Sequence, residues 1–442
     1  MKVINFMKGV WQRMFPIKDI TSALNIKTAL SDEMINGIEL WHKCYVGNAP
    51  WIKPDNNLAS LKLERSVTRE FANIALNEMT STVNVQKLDD IYKNSIRNLN
   101  RNLQRGLATG AMVIKPLGGD KVQYVSANAF IPIEFDSKGR LIKVVFPEYK
   151  KLGDRHYTRL EFHSLDYENG LTITNTAYVS STASNLGREI PLSAVDEWAD
   201  LEERVTYPLM KRPAFGYYVN PIDNTIDGSH CGISIFEPAI DIIKKADIQF
   251  GRIDWEFESA ERAIHADEQA FKKNGKIPKL NERLYRAVDL GTDELFKEYS
   301  PQLRQADFIA GLEEYKREIE FAVGLSYGDI SNPQSVDKTA TEIKTSKQRK
   351  YNTVTAIQDN LRDCLDDLVY ALAFYNSMAT SGYKFVCDFK DSILTDESEE
   401  RKQDQQDLAN GTLRPEEYRA RWRGEDIETA LKNLPQSTEV MD

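Results

Sequence analysis

The chain is poor in the residues that most catalytic chemistry needs. Its five histidines, His42, His156, His163, His230 and His265, are scattered, and no HxH or HExxH spacing brings two imidazoles onto one metal. His156 and His163, seven apart on a predicted strand, fall on opposite faces. The four cysteines, Cys44, Cys231, Cys364 and Cys387, form no CxxC pair, so neither a zinc ribbon nor a disulfide framework is expected and buried free thiols are. Gly106, Gly110, Gly118 and Gly119 do not build GxxxxGK[ST], and the serines of GISIF and GLSYG lack the GxSxG form of a nucleophile elbow. No window approaches the roughly 18–20 apolar residues of a membrane span. Excess positive charge is missing as well. The chain has 57 Lys and Arg against 67 Asp and Glu, a net charge of −10 and a pI near 5.3, which excludes a surface that coats nucleic acid or anionic lipid by bulk attraction. No catalytic residue, metal site or cofactor is expected, and any contact with a polyanion must be local.

What is present is size and pattern. At 442 residues the chain has room for several domains, and an apolar share of 41% suits a protein that completes its core by assembling. The segment 1–15 carries Val3, Met7, Val10, Trp11 and Met14 at helical spacing, interrupted by Lys2, Lys8 and Arg13. This predicts a helix packed on its own or a neighbouring subunit, with a weak membrane-surface helix as the alternative and no secretion signal. Helices are predicted over 31–45, 58–83 and 88–107, from apolar residues three and four apart. From Ala111 the period becomes two. AMVIKP, KVQYV, AFIPIEF, LIKVVF, YTRLEFHSL and LTITNTAYV predict one antiparallel meander of six or seven strands ending near Val179. Pro191, Pro208, Pro213 and Pro221 make 180–227 mostly irregular.

Two rods follow. Ser234 and Glu237 have capping-box spacing. Beyond them Phe236, Ile240, Ile243, Phe250, Ile253 and Phe257 define a narrow stripe on a helix over 236–261. Ser300 and Pro301 offer an N-cap and a first helical proline for a second helix over 301–326, with Phe308, Leu312, Tyr315 and Ile319 in register. Between them, 262–300 reads as strand and turn (RAIHADEQAF, GKIPKLN, ERLYRAVDLG, ELFKEY), predicting an antiparallel rod pair with a small β insertion at its far tip. A loop at 327–338 leads into a long helix and a final strand over 339–392, and 393–442 ends in short helices around Pro415–Trp422 and Asp426–Leu431.

The loop and the helix it opens are the richest segment. Lys338, Lys344, Lys347, Arg349 and Lys350 stand against Asp337 and Glu342, a local charge of +3 in an acidic chain. Lys344 and Lys347 share a helix side. Lys338, Lys344, Lys347, Arg349 and Lys350 are therefore candidates for one local contact with an anion, against the ordinary reading of a solvated charged face. The position, after a Gly, Asn and Pro-bearing loop between two rods, suits a mobile element facing a channel. Asp363, Asp366 and Asp367 form the tightest acid set, either a divalent-cation site of nuclease type or a solvated helix face.

The segments LATGAMVIKP, IPIEFDSKGRLIKVVF, RLEFH, LGREIPLSAVDEWADL, IDGSHCGISIFEPAIDIIKKAD, IDWEFESAERAI, ERLYRAVD, YSPQLRQADFIAGLEEYKREIEFAVGLSYGDISNPQSVDKTATEIKTSKQRKY and GTLRPEEYRARWRGED occur in this order over most of the chain. Together they resemble the portal proteins of tailed bacteriophages, of the siphophage type, with SNPQSVDKTATEIKTSKQR the most specific stretch. The resemblance implies an α+β portal fold. Its parts would be a helical and β wing (1–235), a two-helix stem (236–261 and 301–326), a small β-containing clip (262–300) and a short helical crown (393–442). The segment 327–338 would be a tunnel loop facing DNA, with Asn332, Gln334, Lys338, Lys344, Lys347, Arg349 and Lys350 as the DNA-facing residues of the loop and the helix start. It further implies a ring of about twelve copies at one capsid vertex of the virion, assembled in the host cytoplasm. That ring would conduct double-stranded DNA without sequence specificity and meet the terminase large subunit, the major capsid and scaffolding proteins and a head-tail adaptor. Membrane contact and enzymatic activity are not implied. Arg414 departs from the pattern, since Ser would cap the helix at Pro415 better. Two readings from other classes stand beside this one: a DNA-processing enzyme using the acid set, and a nucleic-acid-binding protein that forms no ring.

Overall fold

A computed structural model describes residues 17–53, 58–260, 263–266, 285–287, 296–299, 301–333, 340–389 and 397–434. The amphipathic segment 1–15 and GKIPKLN lie outside them. With 46% of residues helical and 21% in strands, kept in separate blocks, the chain is α+β.

The amino-terminal helices begin as their caps dictate. Ser31 Oγ accepts the Met34 N–H at 3.1 Å and opens the helix Asp32–Val46, whose Met34, Ile38 and Trp41 are buried. The helix expected over 58–83 is shorter, Leu63–Leu76, and Met79–Val83 is instead strand β1. Its Thr80, Thr82 and Val83 favour extended backbone. Its partner, Phe385–Phe389, comes from the other end of the chain, where no local pattern could reveal it. The helix expected over 88–107 is two, Gln86–Ser95 and Leu99–Thr109. The Ser95 carbonyl accepts the Tyr124 hydroxyl at 2.9 Å, and the Leu99 N–H turns to Ile96 O instead.

The six predicted strands exist in order but belong to two sheets. β2 (Ala111–Pro116) and β3 (Val122–Ser126) pair with each other, and a later strand, Gly216–Val219, joins the free edge of β2. After a 3-10 turn at Ala127–Ala129, β4 (Ile131–Phe135), β5 (Leu141–Leu152), β6 (Arg155–Asp166) and β7 (Gly170–Ser180) form the meander proper. β8 (Arg188–Ile190) and β9 (Arg204–Tyr207) share the outer edge of β7. A buried ionic cluster ties the two sheets together. Lys115 Nζ of β2 lies 2.7 Å from Glu161 of β6, which also accepts from His163 Nε2 at 2.7 Å and pairs with Arg159 at 3.1 Å. Burial works to raise the Glu161 pKa, but Lys115, His163 and Arg159 outweigh it and hold it well below the carboxylate range. Burial keeps His163 low, so its imidazole is neutral and donates from Nε2.

The rods form as an antiparallel pair, Ile240–Ser259 and Gln305–Val323: Gln249 Nε2 donates to Phe308 O, and Glu256 meets Arg304. Their starts differ from expectation. Glu237–Ala239 is a 3-10 turn containing Pro238, and Ser234 Oγ accepts the Phe236 N–H rather than capping the helix. The second rod begins at Gln305. Ser300 lies outside the described residues, and Glu256 of the first rod accepts both the Arg304 N–H at 3.0 Å and its guanidinium, supplying the missing acceptor from across the pair. At the far tip, Ala263–Ala266, Tyr285–Ala287 and Phe296–Tyr299 make a three-stranded sheet with the first strand central.

The long helix Ala340–Tyr375 has 36 residues and spans about 54 Å. Its later turns carry Leu361, Cys364, Leu365, Leu368 and Leu372 into the same core as the amino-terminal helices. Gly216 lets the sheet approach it, since a Cβ there would lie 2.4 Å from Cys364 O. The final segment holds three helices, Glu397–Ala409, Pro415–Arg423 and Ile427–Lys432. The first was not expected because its polar sequence has no apolar period. Arg414 cannot accept a capping bond, yet the end is closed from the other side: Glu417 accepts the Arg414 N–H at 3.1 Å.

Candidate functional site

The loop after the second rod is built around one buried carboxylate. Gly324, at φ 86°, ends the helix in the left-handed conformation, and a side chain there would also strike Thr353 Oγ1. The chain then turns back over Glu320, which is fully buried. Glu320 Oε1 accepts the N–H groups of Gly328 at 3.1 Å, Ile330 at 2.6 Å and Ser331 at 2.8 Å, and Oε2 accepts the Ser331 hydroxyl at 2.8 Å. Glu313, about two turns earlier, accepts the Asn332 N–H at 2.7 Å and pairs with Lys316 at 2.7 Å. Burial pushes the Glu313 pKa up, and Lys316 and the Asn332 N–H more than reverse that. From the long helix, Ser346 Oγ accepts the Tyr327 N–H at 3.0 Å. Asp329 accepts the Ser326 N–H at 2.8 Å and pairs with Lys350 at 2.9 Å.

Residues 327–332 are therefore a pinned turn, which corrects the expectation of a mobile element for this half of the loop. Sequence reading missed Glu320, Glu313 and Ser346. The one visible signal is an acid directly after Ile319, beside the buried stripe, ahead of a Gly-bearing loop.

The basic candidates separate accordingly. Lys347 and Asn332 are exposed. Lys350 is engaged by Asp329, with Glu70 at 3.7 Å, and the Arg349 guanidinium stacks 4.3 Å from the Phe321 ring centroid and 5.8 Å from that of Tyr327. Both are half-buried and hold the loop to the helix, so they serve the fold before any ligand. Gln334 and Lys338 lie outside the described residues, as does the side chain of Lys344.

The acid set divides: Asp363 is exposed, whereas Asp366 and Asp367 are held by a cation. Arg212, from the irregular segment before the Gly216–Val219 strand, places Nη2 2.7 Å from Asp366 and Nε 2.7 Å from Asp367, with its guanidinium over the Tyr370 ring. Burial raises the Asp367 pKa against the pull of Arg212. Among the described residues, no three His, Cys, Asp or Glu side chains are grouped to hold a metal ion.

The rod stripe packs within one chain. Phe236, Ile243, Ile253, Leu312 and Ile319 are buried, and Ile240, Phe250, Phe308 and Tyr315 are partly so, so a stripe narrow enough to suit a neighbouring subunit is covered within the subunit itself. Phe257 is the exception at 45% exposed. Other large apolar side chains on the pair are also open: Trp255 at 66%, Ile309 at 46% and Phe321 at 54%. Trp255 and Phe321 each stand two residues after a buried stripe residue, Ile253 and Ile319, about 200° around the helix, so each rod exposes an aromatic side chain on the side away from the seam.

No described helix is long and apolar enough to cross a membrane. No known protein family and no curated protein matched the chain.

Proposed function

We propose that the chain is the subunit of a portal ring: about twelve copies closed head to tail around a channel for double-stranded DNA at one capsid vertex of a virion. The observation that carries this reading is the antiparallel rod pair. It bears a small sheet at its far tip, passes through a pinned turn into a 36-residue helix that returns to the main body, and exposes aromatic residues on two opposite sides. A subunit in a closed ring meets a different neighbour on each side, and so needs two contact surfaces where a two-fold dimer needs one. The rods are assigned as stem, the tip sheet as clip, the segment after Gly324 as tunnel loop, the amino-terminal helices and two sheets as wing, and the three final helices as crown.

The net charge of −10 suits a conduit, because many strong phosphate contacts would hold a duplex in place. A few cations at the loop and the start of the long helix, Lys347 among them, touch phosphates without reading sequence. Terminase large subunit at the clip, capsid and scaffolding proteins at the wing and an adaptor on the ring are the partners this role requires. Native mass measurement with end-on electron micrographs tests it. A ring of about a dozen subunits with an open bore is expected; a chain that stays monomeric at tens of micromolar sinks the proposal.

A further inference from the structure

A second basic feature lies among the amino-terminal helices, away from the loop and unused by the reading above. Arg65 of the helix Leu63–Leu76 and Arg101 and Arg105 of the helix Leu99–Thr109 line one cavity of about 290 Å³, with His42, Tyr45, Val46, Thr109 and Ser126 completing its wall. Arg101 and Arg105 are four residues apart and share a helix side, where like charges repel. No carboxylate is among the described residues of the lining. The three guanidiniums act on one point. Burial raises the pKa of the Tyr45 hydroxyl, while Arg105, Arg65 and Arg101 each pull it down. Burial, and then Arg101, also lower the Arg105 pKa.

The wall's hydroxyls are partly spent within the fold. Thr109 donates to Arg105 O at 2.9 Å and Ser126 to Asn128 Oδ1 at 2.9 Å, so recognition falls to the arginines. Arg65 Nε holds Tyr45 O at 2.6 Å, which fixes the fork of that guanidinium against the neighbouring helix. Guanidinium forks match the oxygens of a phosphate two at a time, and do so best where solvent is partly excluded. The volume is near the lower end of small-molecule sites, roughly 300 Å³, so it admits a phosphate together with its sugar. Two aromatic residues, Tyr45 and His42, line the same wall, the residue type on which a base stacks.

We propose that Arg65, Arg101 and Arg105 form a binding site for the phosphate group of a nucleotide, either free or as one unit of a nucleic-acid strand. The test is calorimetric titration of the full chain with inorganic phosphate, dAMP and a short DNA duplex, with citrate as a carboxylate control. Binding of dAMP or duplex is expected, weakened about tenfold or more by Arg101→Gln or by Arg105→Gln, as for loss of one charged hydrogen bond. Arg105→Lys keeps the charge but loses the fork and is expected to weaken binding while folding normally. The unliganded melting temperature of the glutamine variants should be unchanged or higher, because a like-charge repulsion is removed; a purely structural role would lower it. Saturation by dAMP assigns a free nucleotide, and saturation by duplex alone assigns a strand. Absence of binding by every phosphate probe, citrate binding as tight as dAMP, or duplex binding retained in full by the Arg101→Gln, Arg105→Gln double variant each overturns the proposal.

Discussion

Replacing Glu320 by Gln tests whether one carboxylate holds the loop. Glu320 is fully buried and accepts from the N–H groups of Gly328, Ile330 and Ser331 and from the Ser331 hydroxyl. Glutamine keeps one oxygen, so the Ile330 and Ser331 N–H bonds survive but fall from charge-assisted strength, about 1.5–3 kcal/mol each, to about 1 kcal/mol. The other oxygen, which accepts the Ser331 hydroxyl and shares the Gly328 N–H at 3.2 Å, becomes an NH₂ that turns a donor toward both. The hydroxyl can rotate away; the backbone N–H cannot. The summed loss is about 3 kcal/mol, which corresponds to roughly a hundredfold faster amide exchange at Gly328, Ile330 and Ser331. Hydrogen exchange followed by mass spectrometry over 325–333 measures this directly, with exchange in the β5–β6 hairpin as the internal reference. If protection at these three amides changes less than about fivefold, corresponding to about 1 kcal/mol, the loop is held by its other contacts and the central role of Glu320 is wrong.

Glu64 is fully buried with neither carboxylate oxygen bonded, and burial, reinforced by Asp247, raises its pKa from 4.5 to about 7. Because the folded pKa lies above the unfolded one, its stabilising contribution is complete below pH 4.5 and is lost as pH rises to about 7, by about 3 kcal/mol. Glu64→Gln should flatten that part of the urea-midpoint profile and be the more stable protein at pH 8; parallel profiles would refute it. Trp255→Asp changes a side chain that is 66% exposed, so monomer stability should move by no more than about 0.5 kcal/mol while assembly mass falls. Rings formed at wild-type concentration would mean the rod surface faces solvent. Arg212→Met leaves Asp367 partly buried and without its cation, and should cost about 2–3 kcal/mol by denaturant unfolding; divalent-dependent nuclease activity in the wild type would instead restore the enzymatic reading. Changing Lys338, Lys344 and Lys347 together to Ala should leave assembly mass unchanged and reduce DNA packaging or retention. Packaging at the wild-type level removes these cations from the mechanism.

Local rules carried far where neighbours in sequence are neighbours in space. Ser31 capping its helix, the hairpins β5–β6 and β6–β7, and the stripe from Ile243 to Ile319 follow from hydrogen bonds and apolar spacing that need few long-range contacts. The expected rod pair with a small sheet at its tip also emerged from periodicity and turn signals. The errors share one cause. Met79–Val83 reads as helix because its partner Phe385–Phe389 is remote, the six strands read as one meander because the Gly216–Val219 strand returns late, and the ion pairs of Asp366 and Asp367 stay hidden because Arg212 is distant in sequence.

Residue order and spacing were enough to show where backbone could be helical or extended, which side of each rod is apolar, and that positive charge is concentrated near the start of the long helix. Which of those charges remain available depends on packing between distant segments. Lys350 and Arg349 are drawn into the loop by Asp329 and Phe321, Glu320 becomes a backbone anchor, and three arginines from two helices meet in one cavity. Spacing along a chain sets a side chain's direction, but its partners come from every element that packs against it, and electrostatic energy depends on distance and burial rather than on order in the sequence.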